Sequence, residues 1–288
     1  MSTATANEYA AKYVADSEEF TRRAAELGLG DVSGLYWYHT IGLPHGLVTP
    51  GIYDFRDSVG CFPFPSDMCG MRVLDVGSAT GFFAFEFERR GAAVVSVELD
   101  SLNSLDRFPG QPLDQLLAQI EQMVMPRSVI PGFTRNYTAA ELYFNLLEGP
   151  FRFCAELLAS RVRRCYSSVY ALTPEKAGSG FDLVFMGDIL LHTINPLQAL
   201  AAVAPLCSGT LILSQFVPES ADGTPAMLYV GGDDPSYDEV SWWWPNKPCL
   251  TQLLKKFGFA TVVEAGRHCG VMRPTGHRYD RSIFQATR

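Results

Sequence analysis

No Cys-x-x-Cys pair occurs in the chain, and its seven cysteines, at 61, 69, 154, 165, 207, 249 and 269, cannot all pair within one molecule because their number is odd. Reduced, mostly buried thiols in a cytoplasm are expected instead. No apolar stretch reaches the roughly 18 residues of a membrane span before a charge or proline interrupts it, so the protein is expected to be soluble, with no membrane partner. Residues 1–19 are rich in alanine but carry Glu8, Lys12, Asp16, Glu18 and Glu19, which leaves no apolar core for a signal peptide. Positive charge is also short. The net charge is -8, and an acidic chain repels a polyphosphate backbone unless a local basic patch overrides the total. Nucleic acid is therefore not the first partner expected. Internal repeats and low-complexity tracts are absent.

What is there suits one large core with a helical annex: 288 residues, 47% of them hydrophobic. Apolar spacing predicts a helix over 8–29, ended by Gly28 and Gly30. Short β-like pieces at 37–41 and 47–51, joined through Pro44 and Gly46, predict a hairpin or lid ahead of the core. The main pattern then starts: a buried strand at 72–76, a turn at 77–81, a helix at 82–90 and a second strand at 93–98. Two parallel strands joined by a helix form a right-handed βαβ unit, whose ligand belongs at the strand C-termini. Further strands are predicted at 164–170, 181–186, 210–216, 261–265 and 282–287, with helices at 197–204 and 250–257. Residues 103–147 break this rhythm with two helix-like stretches, 113–123 and 139–147. They read as a helical insertion, either a surface excursion or a cap over a substrate. The expected organisation is an N-terminal helix and lid over 1–70, then an α/β Rossmann-like sheet with helices on both faces over 71–288.

The βαβ unit carries the chemistry. Asp75 stands just before the end of the first strand, Gly77 and Gly81 bracket the turn, and Glu98 ends the second strand, 21 residues after Gly77. The glycines let the backbone approach a ligand closely, and a carboxylate at Glu98 can accept bonds from both ribose hydroxyls. A dinucleotide fingerprint needs Gly-x-Gly-x-x-Gly, whereas Ala79 stands at the middle glycine position here. A pyrophosphate needs bare backbone amides at that point; a methionyl group on adenosine carries no phosphate and tolerates alanine. Asp75 either caps the turn or attracts the ammonium or sulfonium of S-adenosylmethionine.

The run Asp75-Val76-Gly77-Ser78-Ala79-Thr80-Gly81 resembles the first motif of class I S-adenosylmethionine methyltransferases. More narrowly, Trp37-Tyr38-His39-Thr40-Ile41, Val48-Thr49-Pro50-Gly51, Ser168-Val169-Tyr170-Ala171-Leu172 and the stretches 82–91 and 181–192 resemble relatives of the tRNA wobble-uridine carboxymethyltransferase, over roughly residues 35 to 270. The resemblance implies the class I fold, with S-adenosylmethionine held by Asp75, Gly77, Ser78, Ala79, Gly81 and Phe82, then by Glu98 and Leu99, by Ser168, Val169 and Tyr170 beside the adenine, and by Met186, Gly187 and Asp188. In that family an acidic residue usually stands where this chain has Ala171, and a carboxylated cofactor is held by basic and phenolic side chains where this chain has His39 and Leu191. These departures imply an ordinary methyl donor.

Methyl transfer is an in-line displacement that needs alignment and, for a hydroxyl acceptor, a base; it needs no metal. His192, just past the strand end at Met186, is one candidate base or else a histidine packed against the next helix and bonded to backbone. His39, among Tyr36, Trp37 and Tyr38, is the second candidate base or else plain core. Trp37, Tyr38, Tyr53 and Trp243 are candidate substrate contacts, because aromatic faces enclose planar acceptors and exclude water. Three successive tryptophans, Trp242-Trp243-Trp244, form a substrate wall, a homo-oligomer contact or an anchor for the following helix. The basic cluster Arg152, Arg161, Arg163 and Arg164 is either tRNA-facing or a solvated edge. Three functions remain: a methyltransferase acting on an oxygen or nitrogen of a small aromatic or apolar molecule, a tRNA-modifying enzyme, or a cofactor-binding scaffold without catalysis.

Overall fold

The first predicted helix forms as Ala6–Glu26 (α1), with Tyr13, Phe20 and Ala24 buried along one face. The structure is a computed structural model describing residues 6–108, 111–124, 138–219, 223–234 and 240–288. The chain between α1 and the sheet forms no regular hairpin. Gly42 bridges Val48 antiparallel across the turn Pro44–Gly46, and His39 bridges Tyr53 in the parallel sense.

Arg72–Val76 (β1) is buried from its second residue onward, as a strand covered on both faces must be. Phe82–Arg89 (α2) returns the chain to Ala93–Glu98 (β2), which lies parallel to β1 with Val76 opposite Val97. The insertion contributes Leu113–Val124 (α3) and Ala139–Tyr143 (α4), the latter opened by a Thr138 and Glu141 capping box. A π-helical turn at Phe144–Glu148 then leads into Gly149–Leu157 (α5). The helical run therefore continues past the predicted end at 147. Positions 109–110 and 125–137 of the insertion lie outside the described residues.

The remaining elements are Arg163–Tyr166 (β3), Pro174–Ala177 (α6), Phe181–Gly187 (β4), Pro196–Val203 (α7), Cys207–Gln215 (β5), Met227–Tyr229 (β6), Trp243–Pro245 (β7), Lys247–Lys256 (α8), Thr261–Met272 (β8) and His277–Thr287 (β9). The seven-stranded sheet runs β3-β2-β1-β4-β5-β9-β8. Pairs from β3 through β5 are parallel, whereas β9 is antiparallel to both β5 and β8. A separate ribbon pairs β6 with β7.

Three predicted strands differ in extent from those observed. The expected strand at 164–170 stops at Tyr166, and Val169–Ala171 is a 3-10 turn. The expected strands at 261–265 and 282–287 are the inner halves of a much longer hairpin. Pairing of β5 with β9 ends at Gln215 opposite Ser282, yet β8 and β9 stay paired out to Met272 and His277. This projecting arm docks on the N-terminal segment: the Arg273 amide donates to the Ile52 carbonyl at 2.9 Å, and its guanidinium pairs with Asp16.

Both faces of the sheet are covered. One buried cluster joins Phe20 of α1, Trp37 and Phe62 to Phe83, Phe151, Phe185 and Ile283, so the N-terminal segment and the sheet share a core. The other packs α7 and α8 through Leu200, Val203, Leu250 and Leu254 against β4 and β5. Among the described residues no helix is long and apolar enough to cross a membrane. Cys154, Cys165 and Cys207 are buried while Cys61, Cys69 and Cys269 are exposed, so the expectation of mostly buried thiols fails for nearly half of them.

Candidate functional site

The turn after β1 is set by backbone geometry. Gly77 (φ 73°) and Gly81 (φ 95°) occupy the left-handed region, and Ala79 does so without being glycine, at φ 46°. A Cβ on Gly77 would stand 1.9 Å from Ile189 Cδ1, and one on Gly81 would stand 2.7 Å from Phe85. Ala79 is held from both sides. Its amide donates to Glu98 Oε2 at 2.8 Å, and its carbonyl accepts from Arg164 Nη2 at 2.8 Å. The Leu99 amide donates to Glu98 Oε1 at 2.8 Å. A carboxylate offers about four lone-pair sites, so Glu98 retains acceptor capacity beyond these two bonds.

Arg164 corrects the sequence reading of a basic face. Its side chain is 6% exposed, bonds Ser96 Oγ and Ala79, and faces Glu148 at 4.0 Å with its guanidinium over the Phe151 ring. Arg152 pairs with Glu148 and Arg163 donates to the Ala177 carbonyl. Of the four, Arg164 alone is buried; Arg152 and Arg163 make these contacts at the surface, where Arg161 also lies.

A cavity of about 360 Å³ opens where β1, β2 and β4 end. One end is lined by Asp75, Gly77, Ser78 and Ala79, by Glu98 and Leu99, and by Ser168, Val169 and Tyr170. Asp75 is 2% exposed and its Oδ2 has no hydrogen-bond partner among the described residues. Burial pushes its carboxyl up to about 7, against the pull of Arg164. Tyr170 bonds Asp106, which also accepts from the Ile194 amide at 2.8 Å, so the rim is tied across the cavity mouth.

The other end is aromatic, lined by Tyr38, His39, Tyr53, Phe55, Phe62 and Tyr279, with Gly187, Asp188, His192, Ser214, Trp242 and His268. Asp188 sits at φ 50° at the end of β4, a backbone outlier of the kind that clusters at functional sites. Both its oxygens accept from Arg281 Nε, at 2.9 and 2.7 Å; burial raises its pKa while Arg281 opposes the rise. The His192 ring opens into the cavity and its Nδ1 bonds the Val240 carbonyl. A carbonyl only accepts, so Nδ1 carries the proton and Nε2 keeps its lone pair. Enclosure by protein lowers the His192 pKa.

Several sequence candidates are placed elsewhere. Trp37 packs in the core against Phe20 at 5.0 Å and Phe153 at 5.5 Å between ring centroids, away from the cavity. Trp243 donates its indole N–H to the Ile194 carbonyl behind the wall, and Trp242 is the tryptophan that reaches the cavity. Gly81, Phe82 and Met186 are buried and do not line the cavity. As a base His39 is contradicted: burial pushes it down to about 3, and its Nδ1 accepts from the Phe82 amide at 3.4 Å. It lines the cavity as a neutral ring. Sequence reasoning missed Phe55, Phe62, Ser214, His268 and Tyr279, the last two because the hairpin arm was read too short.

No known family profile and no curated protein sequence matches the chain. Among solved structures, the N-terminal domain of EvdMO1, crystallised with S-adenosylhomocysteine and D-fucose, shares 17% identity over 94% of this chain and 97% of that one, with a TM-score of 0.52. A Burkholderia thailandensis 1,6-didemethyltoxoflavin N1-methyltransferase is 16% identical over 100% and 92%, with a TM-score of 0.40. A Listeria monocytogenes protein described as a putative S-adenosylmethionine-dependent methyltransferase is 15% identical over 81% and 97%, at 0.44. The likeness to the EvdMO1 domain agrees with the sheet order: the fold is the Rossmann-like class I methyltransferase fold.

Proposed function

We propose that the chain is an S-adenosylmethionine-dependent methyltransferase that moves a methyl group to an oxygen or nitrogen of a small aromatic molecule. The observation that carries this reading is one cavity with two unlike ends. The first holds a clamped glycine turn, a strand-end glutamate with spare acceptor capacity and a buried aspartate whose Oδ2 has no partner among the described residues. The second is an aromatic chamber onto which His192 opens.

The residues present fit the cofactor. Glu98 would take the ribose hydroxyls, Asp75 the positive charge of the methionyl end, and the Ser168–Tyr170 segment would flank the adenine. At about 360 Å³ the cavity falls in the range of small-molecule sites. Bound there, S-adenosylmethionine supplies an electrophilic methyl group on a sulfonium. The chain aligns the acceptor between aromatic walls, excludes water, and takes the acceptor's proton at His192 Nε2. The Val240 carbonyl fixes the tautomer that makes this acceptance possible. His192 is solvent-accessible at the cavity edge, and the protein packed around its ring lowers its pKa, so the ring is neutral and competent as a base at neutral pH.

The tRNA alternative loses part of its support because Arg164 is buried and Arg152 is paired with Glu148, which leaves Arg161 and Arg163 as the exposed remainder of the basic cluster. The D-fucose in the EvdMO1 structure adds a sugar hydroxyl to the acceptors worth trying. The test is a mass-spectrometric screen for methylated product with phenols, nitrogen heterocycles, 6-deoxyhexoses and unmodified tRNA. Turnover of planar aromatics supports the reading, and turnover of tRNA alone overturns it.

A further inference from the structure

Deep in the aromatic end, the chamber carries polar atoms that its packing does not need. His268, on β8, is 5% exposed and packs against Phe62 at 4.8 Å, Phe55 at 5.8 Å and Tyr279 at 5.9 Å between ring centroids. Among the described residues its ring bonds Ser214, with Nε2 and Oγ 2.8 Å apart. His268 Nδ1 and the Tyr279 hydroxyl are both buried without a partner among the described residues. Tyr279 reaches this position because its cross-strand neighbour is Gly270, where a Cβ would stand 2.3 Å from the hydroxyl oxygen.

A buried polar atom without a partner costs about 1–3 kcal/mol, and an apolar core would place phenylalanine at both positions. Two such atoms on adjacent rings lining one cavity fit a ligand that brings its own polar group. Burial and the nearby Arg281 push His268 down to about 4, so the ring is a neutral partner, suited to a hydroxyl or carbonyl rather than a carboxylate. His192 stands on the loop after β4, and β5 and β9 lie between that strand and β8. The cavity therefore offers two separate polar points.

Resting on the methyltransferase reading, we propose that His268, held by Ser214 and flanked by Tyr279, binds a second, non-reacting hydroxyl or carbonyl on a planar acceptor whose reacting group lies at His192. The acceptor class is then a bifunctional aromatic, such as a diol, in preference to a mono-phenol. A site built to bond a hydroxyl discriminates against the analogue lacking it, because its own buried groups are left unpaired.

The experiment measures binding of 2-naphthol, 2,6-dihydroxynaphthalene and 2,7-dihydroxynaphthalene to protein saturated with S-adenosylhomocysteine. Wild type should prefer one of the diols by about tenfold, the scale of one buried hydrogen-bond deficit. His268→Phe keeps the aromatic packing and should reduce that preference below about twofold, with S-adenosylhomocysteine affinity unchanged; Ser214→Ala should reduce it partway. No diol preference in wild type, no binding of any naphthol, or a preference that survives in His268→Phe would each overturn the proposal alone. Failure of wild type to bind S-adenosylhomocysteine would instead bring down the methyltransferase reading, and this proposal with it.

Discussion

A cation that seats beside Asp75 should expel a proton. With its carboxyl pushed up to about 7 by burial, about half the molecules carry that proton at pH 7, nine-tenths at pH 6 and one-tenth at pH 8. A unit positive charge about 4 Å away is worth roughly 4 kcal/mol at an effective dielectric near 20, enough to return the group to the ionised form across this range. Binding S-adenosylmethionine should therefore release about 0.9, 0.5 and 0.1 proton at pH 6, 7 and 8. His39 and His268 are held well below this window and contribute nothing to it. The assay is titration calorimetry in buffers of different ionisation enthalpy, whose slope gives the proton count directly. A count that does not fall with pH, or that persists in Asp75→Asn, would refute the reasoning.

The same group sets a stability trend. Its folded pKa lies above the unfolded one, so its favourable contribution is complete below about 4 and is lost as pH rises through 7; Asp75→Asn escapes that loss and should melt higher than wild type at pH 8, by an equivalent of about 4 kcal/mol at most, with the gap closing toward pH 4. Glu98→Gln exchanges one acceptor oxygen for a donor, so the Ala79 or Leu99 amide loses its partner; cofactor affinity measured by calorimetry should fall at least about tenfold. Arg164→Met leaves Glu148 with Arg152 as its remaining cationic partner and takes the donor from the Ala79 carbonyl and Ser96 hydroxyl, which should cost about 1–3 kcal/mol in denaturant unfolding.

The glycine-turn end of the cavity was legible because its elements are local. A buried strand, a glycine turn and a strand-end acid lie within 27 residues, 72–98, and each leaves a sequence mark. The aromatic end was only partly legible, since it is assembled from a segment near residues 38–62 and an arm near 266–281. That arm alternates exposed and half-buried positions and includes Gly266, Gly270 and several charges, so it shows no apolar period. Its burial comes from docking on the N-terminal segment through Arg273, a long-range contact that no local pattern reports. Arg164 misled for the opposite reason. It reads as surface charge, but Glu148 on the π-helical turn lets it be buried behind Ala79. Trp37 and Trp243 were plausible walls by composition, and neighbouring aromatic rings claimed both.

The central claim is tested most directly by calorimetric binding of S-adenosylmethionine beside its carboxylated analogue and NAD, with Gly81→Asp as the blocked-site control. The account predicts that S-adenosylmethionine binds best and that the variant abolishes binding, because a side chain on Gly81 would strike Phe85 and Phe151. Tighter binding of NAD, or unimpaired binding by Gly81→Asp, would contradict it.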